Sequence, residues 1–122
     1  MSNASDPIQQ ELSRDGILRL TMNDTKRRNA LSEEMMAGLS ESINQASTNN
    51  EVRVIVIAAN GPAFCSGHDL KQMSAERNNA DNGHQYFSEV FSMCSALMQL
   101  ITNNPKPVIA EVSGVAAAAG CQ

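Results

Sequence analysis

Residues 54–70 read VIVIAANGPAFCSGHDL, a β-branched run that ends in a turn containing glycine and proline. The apolar character begins at Val52, and a run that is apolar almost throughout is typical of a strand buried on both faces of a parallel sheet. Asn60-Gly61-Pro62 ends the strand, and residues 65–69 follow as a loop. Small residues in this loop allow backbone N–H groups to approach a ligand closely. The stretch therefore predicts a buried strand and then a turn suited to binding.

A second turn of the same design follows another predicted strand, residues 107–112. Ser113 and Gly114 lead from it into an alanine-rich segment, residues 116–119. We predict that this segment starts a helix, whose first N–H groups have no partner inside the helix. Two such donors that converge on one carbonyl oxygen make an oxyanion hole, which contributes ~3–4 kcal/mol per donor toward a developing negative charge. One glycine-containing turn alone is most often only a turn, so the argument depends on the pair.

Strand and helix patterns alternate along the rest of the chain. We predict a strand over residues 17–22, a loop over 23–29, a helix from residue 33 to residues 48–50, a polar mobile stretch over 74–83 and a helix over 87–101. Ser32 is the expected N-cap of the first helix. This βαβ alternation predicts an α/β fold.

The composition argues against several classes of function. The 122 residues carry a net charge of −4, and the chain contains 1 Tyr and no Trp. It therefore has neither a basic stripe nor the aromatic residues that stack on bases, and no nucleic-acid partner is expected. Its apolar runs are too short to span a bilayer, so no membrane partner is expected. The 3 cysteines form no CxxC pair, which indicates reduced thiols and a cytoplasmic location.

Several motifs together resemble the crotonase (enoyl-CoA hydratase/isomerase) family. Phe64-Cys65-Ser66-Gly67-His68-Asp69-Leu70 matches the family pattern of Phe, two small residues, Gly, a variable residue, Asp and an aliphatic residue. Asn29-Ala30-Leu31 matches the start of the family's first helix, and residues 105–110 and 114–116 match the strand and turn before its second oxyanion segment. The similarity runs from residue 14 to residue 122. It implies the N-terminal portion of a crotonase-like α/β fold, a spiral of ββα units.

The resemblance also implies where the site lies. The backbone N–H groups of His68 and Ala119 align with the family's two oxyanion donors, and Gln122 aligns with a catalytic glutamate of the hydratases. Substrate-binding positions implied by the family are His68, Asp69, Leu70 and Lys71. Arg28 or its neighbour Arg27 is a candidate partner for the CoA phosphates, because Arg pairs with phosphate through two hydrogen bonds. No metal and no separate cofactor are implied, since CoA is part of the acyl-CoA substrate.

Gln122 departs from the family pattern, because a glutamine amide can hydrogen-bond but cannot act as a general base. Two functions therefore stay open. One is an enoyl-CoA hydratase or isomerase (a lyase or isomerase of fatty acid metabolism), and the other is a non-catalytic acyl-CoA-binding protein or inactive family fragment. A third alternative is an assembly fragment that needs the missing half or another copy of itself to fold.

Two regions are expected along the chain. Residues 1–13 are predicted to be a disordered segment or tag remnant, in which Ser2-Asn3-Ala4 resembles a cloning scar. Residues 14–122 are predicted to be the truncated N-terminal half of a crotonase-like domain. We therefore expect this chain to lack hydratase activity, and a full-length form to assemble as a trimer or hexamer.

Four polar residues also have simpler, structural interpretations. Cys65 and His68 have C-x-x-H spacing but lack the further ligands that a zinc site needs. Asp69 is expected to accept backbone N–H bonds within its turn. Glu111 is the charged residue of the last predicted strand, and it is expected to face outward or to pair with an arginine.

Overall fold

The structure is a computed structural model that describes residues 6–122. Its main sheet contains four strands in the order β1-β2-β3-β5. These are β1 (Ile8–Leu12), β2 (Ile17–Met22), β3 (Val54–Ala59) and β5 (Val108–Ala110). The β1–β2 pair is antiparallel, whereas β2–β3 and β3–β5 are parallel. Each parallel connection contains a helix, α1 (Glu33–Thr48) or α3 (His84–Thr102), which confirms the α/β fold.

A second, two-stranded sheet carries the two turns of interest. It consists of β4 (Ala63–Cys65) and β6 (Val115–Ala116), which pair in parallel. A short helix, α2 (Leu70–Glu76), follows β4, and a single 3₁₀ turn (Ala118–Gly120) follows β6. Another 3₁₀ turn (Thr25–Arg27) lies in the loop between β2 and α1.

Helix α1 forms as its sequence predicts. The Ser32 side chain accepts a hydrogen bond from the Met35 N–H at 3.1 Å and so satisfies one of the unpaired donors of the first turn. The apolar face of α1 joins the side chains of the sheet and of α3 in one hydrophobic core. At the other end of α1, the Lys106 ammonium donates to the carbonyl oxygens of Ala46 and Asn49. Positive charge at this end is favoured by the helix dipole.

The prediction of disorder over residues 1–13 is wrong for Ile8–Leu12, which form β1. The sequence IQQEL shows no apolar alternation and buries only Ile8, so its backbone pairing with β2 could not be recognised from the pattern. Residues 1–5, with the predicted cloning scar at Ser2-Asn3-Ala4, lie outside the described residues.

Four local predictions also need correction. The loop after β3 contains the short strand β4, and α2 occupies residues 74–76 of the stretch predicted to be mobile loop. The alanine-rich segment forms β6 and a 3₁₀ turn instead of starting an α-helix. In β3, Ile55 and Ile57 are buried but Val54 and Val56 are half-buried, so the second face is only partly covered by the described residues.

No helix among residues 6–122 is long and apolar enough to cross a membrane.

Candidate functional site

The pairing of β4 with β6 brings the two glycine- and alanine-rich turns together. Cys65 and Ala116 are partners in the parallel ladder, and the Ala117 N–H donates to the Cys65 carbonyl oxygen at 3.0 Å. His68 and Ala119 each lie three residues beyond this paired position. Because parallel strands end at the same edge of a sheet, both turns leave the sheet side by side.

Gly67 shows how closely the turns approach each other. Its φ is +96°, a conformation that residues with a side chain rarely adopt. A Cβ atom there would lie 3.2 Å from the Ala117 oxygen, 3.3 Å from the Ala118 Cβ and 3.7 Å from the Ala119 nitrogen. The first turn therefore packs directly on the second, and the absence of a side chain at Gly67 permits the contact.

The N–H groups of His68 and Ala119 are both available for a ligand. Within residues 6–122, neither N–H donates a hydrogen bond to another group of the chain. Ala119 lies in the first turn of its 3₁₀ helix, where N–H groups have no helical partner. Its neighbour Ala118 has a φ of +51°, a strained value for a residue other than glycine, and such strain is typical of functional sites. The two turns thus place two unpaired donors on neighbouring segments.

An apolar cavity of about 300 Å³ opens beside the second turn. Ala119 and Gln122 line it, together with side chains of α3 and the strands that include Phe64, Leu97 and Val108. The backbone N–H of Gln122 donates to the Ala119 carbonyl oxygen at 3.2 Å. Gln122 therefore lies one 3₁₀ turn beyond Ala119, and its role in the site stays a prediction. The cavity is suited to a hydrocarbon group.

A larger cavity of about 660 Å³ lies beside the first turn, and its lining is cationic. Lys26, Arg27, Arg28 and Lys71 all line it, with His68, Asp69 and Leu70. This cavity contains all the predicted substrate-binding positions. An anion such as a phosphate would be attracted to it.

The four cations are not equally free to bind an anion. The Arg27 guanidinium contacts three carboxylates, those of Asp24 at 3.7 Å, Glu34 at 3.8 Å and Asp69 at 3.4 Å. In contrast, Arg28 forms no ion pair with any residue in the described range. Of the two arginines left open by the sequence, Arg28 is therefore the available anion ligand.

Asp69 caps α2, as its position in the turn predicts. Its carboxylate accepts hydrogen bonds from the N–H groups of Lys71 at 3.0 Å and Gln72 at 3.2 Å. Gln72 in turn donates to the Glu34 carboxylate, at 3.2 Å for the shorter contact. Backbone hydrogen bonding, followed by the contacts from Gln72, Ser32 and Arg27, lowers the pKa of Glu34. These polar contacts hold α2, which buries none of its own residues, against α1.

The His68 side chain packs against α3, whereas its backbone N–H is the group predicted to bind the ligand. Its ring stacks edge-on against Phe91 of α3, with 5.4 Å between the ring centroids. The Nδ1 atom is buried and has no hydrogen-bond partner among the described residues. Leu70, another predicted substrate contact, leaves 73% of its surface exposed at the cavity lip. Glu111 is exposed and pairs with Arg19 of β2, so it both faces outward and pairs with an arginine, as the sequence predicts.

Sequence reasoning missed the importance of Asn29. This residue is fully buried and has a φ of +53°, and its side chain contacts three backbone groups. In the sequence, Asn29-Ala30-Leu31 stands out only as a family motif. The one local sign of a structural role for Asn29 is a polar residue directly before an apolar pair. All three cysteines are free, and burial raises the pKa of the Cys65 and Cys94 thiols.

The amino-acid sequence matches a known protein family and is similar to several known proteins. Residues 13–122 match the family described as enoyl-CoA hydratase/isomerase. The human mitochondrial enoyl-CoA hydratase domain-containing protein 3 is 47% identical over 108 residues, which cover 88% of this chain and 34% of that protein. The 1,2-epoxyphenylacetyl-CoA isomerase of Escherichia coli (strain K12) is 32% identical, with coverage of 86% and 39%.

Solved structures give the same result. An enoyl-CoA hydratase of Mycobacterium smegmatis superposes with a TM-score of 0.85 at 41% identity, covering 94% of this chain and 43% of that one. The structure of human enoyl-CoA hydratase domain-containing protein 3 gives 0.83 at 42% identity, with coverage of 94% and 43%. The chain thus spans less than half the length of these relatives. Several relatives are described as mitochondrial, and the cytoplasmic location of this chain stays a prediction.

Proposed function

This chain belongs to the enoyl-CoA hydratase/isomerase family, and from that premise we propose that its two turns bind an acyl-CoA thioester. The thioester carbonyl oxygen lies between the N–H groups of His68 and Ala119. The observation that carries the proposal is the pair of unpaired N–H donors on adjacent turns. A donor of this kind stabilises developing negative charge on oxygen by ~3–4 kcal/mol.

The two cavities account for the two ends of such a ligand. The phosphates of CoA bind in the cationic cavity, where Arg28 forms no ion pair with any residue from 6 to 122. The acyl group enters the apolar cavity, which is lined by Ala119 and Gln122. The thioester joins these two parts of the ligand and is bound where the turns meet.

The chemistry that this site supports is stabilisation of an enolate-like oxyanion. Removal of a proton next to the thioester, or addition to its conjugated double bond, moves negative charge onto the carbonyl oxygen. Fixed N–H dipoles favour that charge without needing to reorganise. Hydration or isomerisation in a longer form of the protein is the corresponding reaction class.

A second candidate is acyl-CoA binding without turnover, and Gln122 favours it. A carboxylate at this position could accept a proton, whereas the amide can only orient water or the thioester. The expectation that this chain does not hydrate enoyl-CoA follows from that difference. Assembly as a trimer or hexamer also stays a prediction.

Calorimetric titration with butyryl-CoA and with CoA tests the proposal. We expect butyryl-CoA to bind more tightly than CoA, because only the thioester uses the two donors. Arg28→Ala should weaken both ligands by a similar factor, roughly three- to tenfold, since it removes an exposed phosphate contact. Arg14→Ala, a charge change in the turn between β1 and β2, is the matched control and should alter neither.

If neither butyryl-CoA nor CoA binds, the proposed site is refuted. A crotonyl-CoA hydration assay on the same sample then separates the two candidates. Turnover above a no-protein control would favour the enzyme and contradict the expected inactivity. Tight binding without turnover supports the non-catalytic candidate.

A further inference from the structure

Asn29 is a buried polar residue whose side chain uses its whole amide. The Nδ2 group donates to the carbonyl oxygens of Asn60 at 2.9 Å and Ala63 at 3.0 Å. The Oδ1 atom accepts from the Asp24 N–H at 2.8 Å. The side chain therefore ties the loop before α1 to the residues that enter β4.

The same loop also contacts the residues that leave β4. The Leu31 N–H donates to the Gly67 carbonyl oxygen at 2.7 Å, and the Ser66 N–H donates to the Arg28 carbonyl oxygen at 3.1 Å. Leu31 and His68 form an isolated parallel bridge. The loop thus holds β4 before and after its three residues. A strand this short has few ladder hydrogen bonds of its own with which to resist displacement.

We propose that Asn29 is a positioning residue that sets the separation of the two N–H donors. Its side chain hydrogen-bonds to other groups than these two donors. It acts through β4, which leads into His68 and pairs with β6, the strand that leads into Ala119. This inference rests on the proposed thioester site. It concerns the geometry of that site rather than its contacts with the ligand.

The chemistry of the side chain explains why asparagine is required. Its amide supplies two N–H donors and an acceptor oxygen, whereas aspartate supplies acceptors only. Asparagine also tolerates the left-handed backbone, here φ +53°, better than most residues. Replacement by aspartate would keep an acceptor for the Asp24 N–H but remove the Nδ2 group that donates to the carbonyls of Asn60 and Ala63.

A purely structural role and a positioning role predict different results. If Asn29 only stabilises the fold, its replacement lowers stability but a bound thioester still meets two well-placed donors. If it positions the donors, the bound carbonyl is less polarised even in a folded variant. The infrared stretching frequency of the thioester C=O reports that polarisation directly.

The experiment uses butyryl-CoA labelled with ¹³C at the thioester carbonyl and infrared difference spectra of the full chain. Binding to the wild type should lower the C=O stretching frequency of the thioester relative to that of free butyryl-CoA in water. Asn29→Asp and Asn29→Ala should lose at least half of that shift. The ratio of the affinities for butyryl-CoA and CoA should fall roughly tenfold, the effect of weakening one such donor. Ser42→Ala, which removes another buried polar contact (Gln10 Nε2 to Ser42 Oγ, 2.8 Å), should leave the frequency unchanged.

A ligand-free measurement separates failure of this inference from failure of the proposed function. Amide resonances of His68 and Ala119 should move in Asn29→Asp but not in Ser42→Ala, whether or not any ligand binds. Unchanged resonances, or an unchanged C=O shift in a folded Asn29 variant, overturn the inference. Failure of both Asn29 variants to fold, judged by thermal unfolding, also overturns it, because Asn29 would then act on stability alone. Absence of butyryl-CoA binding by the wild type refutes only the proposed function.

Discussion

Replacing Gly120 with alanine is the most direct mechanical test of how the turns fit together. A Cβ atom at Gly120 would lie 2.3 Å from the Cys65 carbonyl oxygen, 2.8 Å from its carbon and 2.9 Å from the Cys65 Cβ. All three atoms belong to the backbone of Cys65 or to its Cβ, so none is the end of a flexible side chain that can move away. Relief requires the second turn and β4 to separate by about 1 Å, toward an ordinary carbon–oxygen contact of ~3.3 Å.

The magnitude follows from two opposing effects. Overpacking of this kind costs about 1–3 kcal/mol. Loss of glycine flexibility in the unfolded chain offsets about 0.4–1 kcal/mol of that cost. We expect a net loss of about 1–2 kcal/mol, which lowers Tm by roughly 4–8 °C for a chain of this size. The separation should also weaken one donor contact, so that butyryl-CoA binding falls about fivefold, the effect of losing ~1 kcal/mol.

The assay is thermal unfolding followed by titration of the folded variant with butyryl-CoA. Gly38→Ala is the matched control, because a Cβ there meets the side-chain Cγ1 of Ile8 at 3.1 Å, a group that can yield. Gly38 lies within α1, where alanine is favoured by ~0.8–1.0 kcal/mol. This control should therefore be as stable as the wild type or more so. A Gly120→Ala variant with unchanged Tm and affinity would refute the packing described for the two turns.

Two further predictions concern the thiols and acid stability. Burial raises the pKa of Cys65 and Cys94, whereas Cys121 is exposed, so an aromatic disulfide reagent should modify one thiol quickly in the native chain and all thiols after denaturation. Loss of the fast phase in Cys121→Ser checks the assignment, and rapid reaction of a second thiol would contradict it. The pKa of Asp81 is lowered, chiefly by the hydrogen bond from the Gln85 N–H at the start of α3. Its stabilisation is present above the ordinary carboxyl pKa and lost as the pH falls through the lowered pKa. The protection of amides at this helix end, measured relative to the intrinsic exchange rate at each pH, should therefore fall in acid in the wild type. Asp81→Asn should remove that acid dependence, and an equal loss of protection in both proteins would exclude Asp81 as its source.

Much of the fold could be predicted because its signals are local. The β-branched run before Asn60 indicates a buried strand, and Ser32 followed by an apolar helical face indicates the start of α1. The small residues and family motifs of the two turns also identify them in the sequence. Their roles as ligand-binding turns remain predictions, although the structure places them side by side as such a site requires.

The remainder depends on contacts between residues far apart in the sequence. Strand β1 has a polar sequence and is defined by its pairing with β2. The pairing of Cys65 with Ala116 joins segments separated by two helices and a strand. Asn29 hydrogen-bonds to carbonyls that lie 31 and 34 positions away, and nothing in the local pattern identifies those partners. The sequence likewise could not show that Arg27 forms ion pairs whereas Arg28 forms none with the described residues.

The central claim is that a thioester oxygen binds between the N–H groups of His68 and Ala119. A titration of the ¹⁵N-labelled chain with butyryl-CoA, compared with CoA, tests this claim most directly. We expect the amide proton resonances of both residues to shift downfield with butyryl-CoA and to shift little with CoA, because only the thioester carbonyl accepts from them. Binding of butyryl-CoA with no shift at either amide, or with equal shifts for both ligands, would contradict the account.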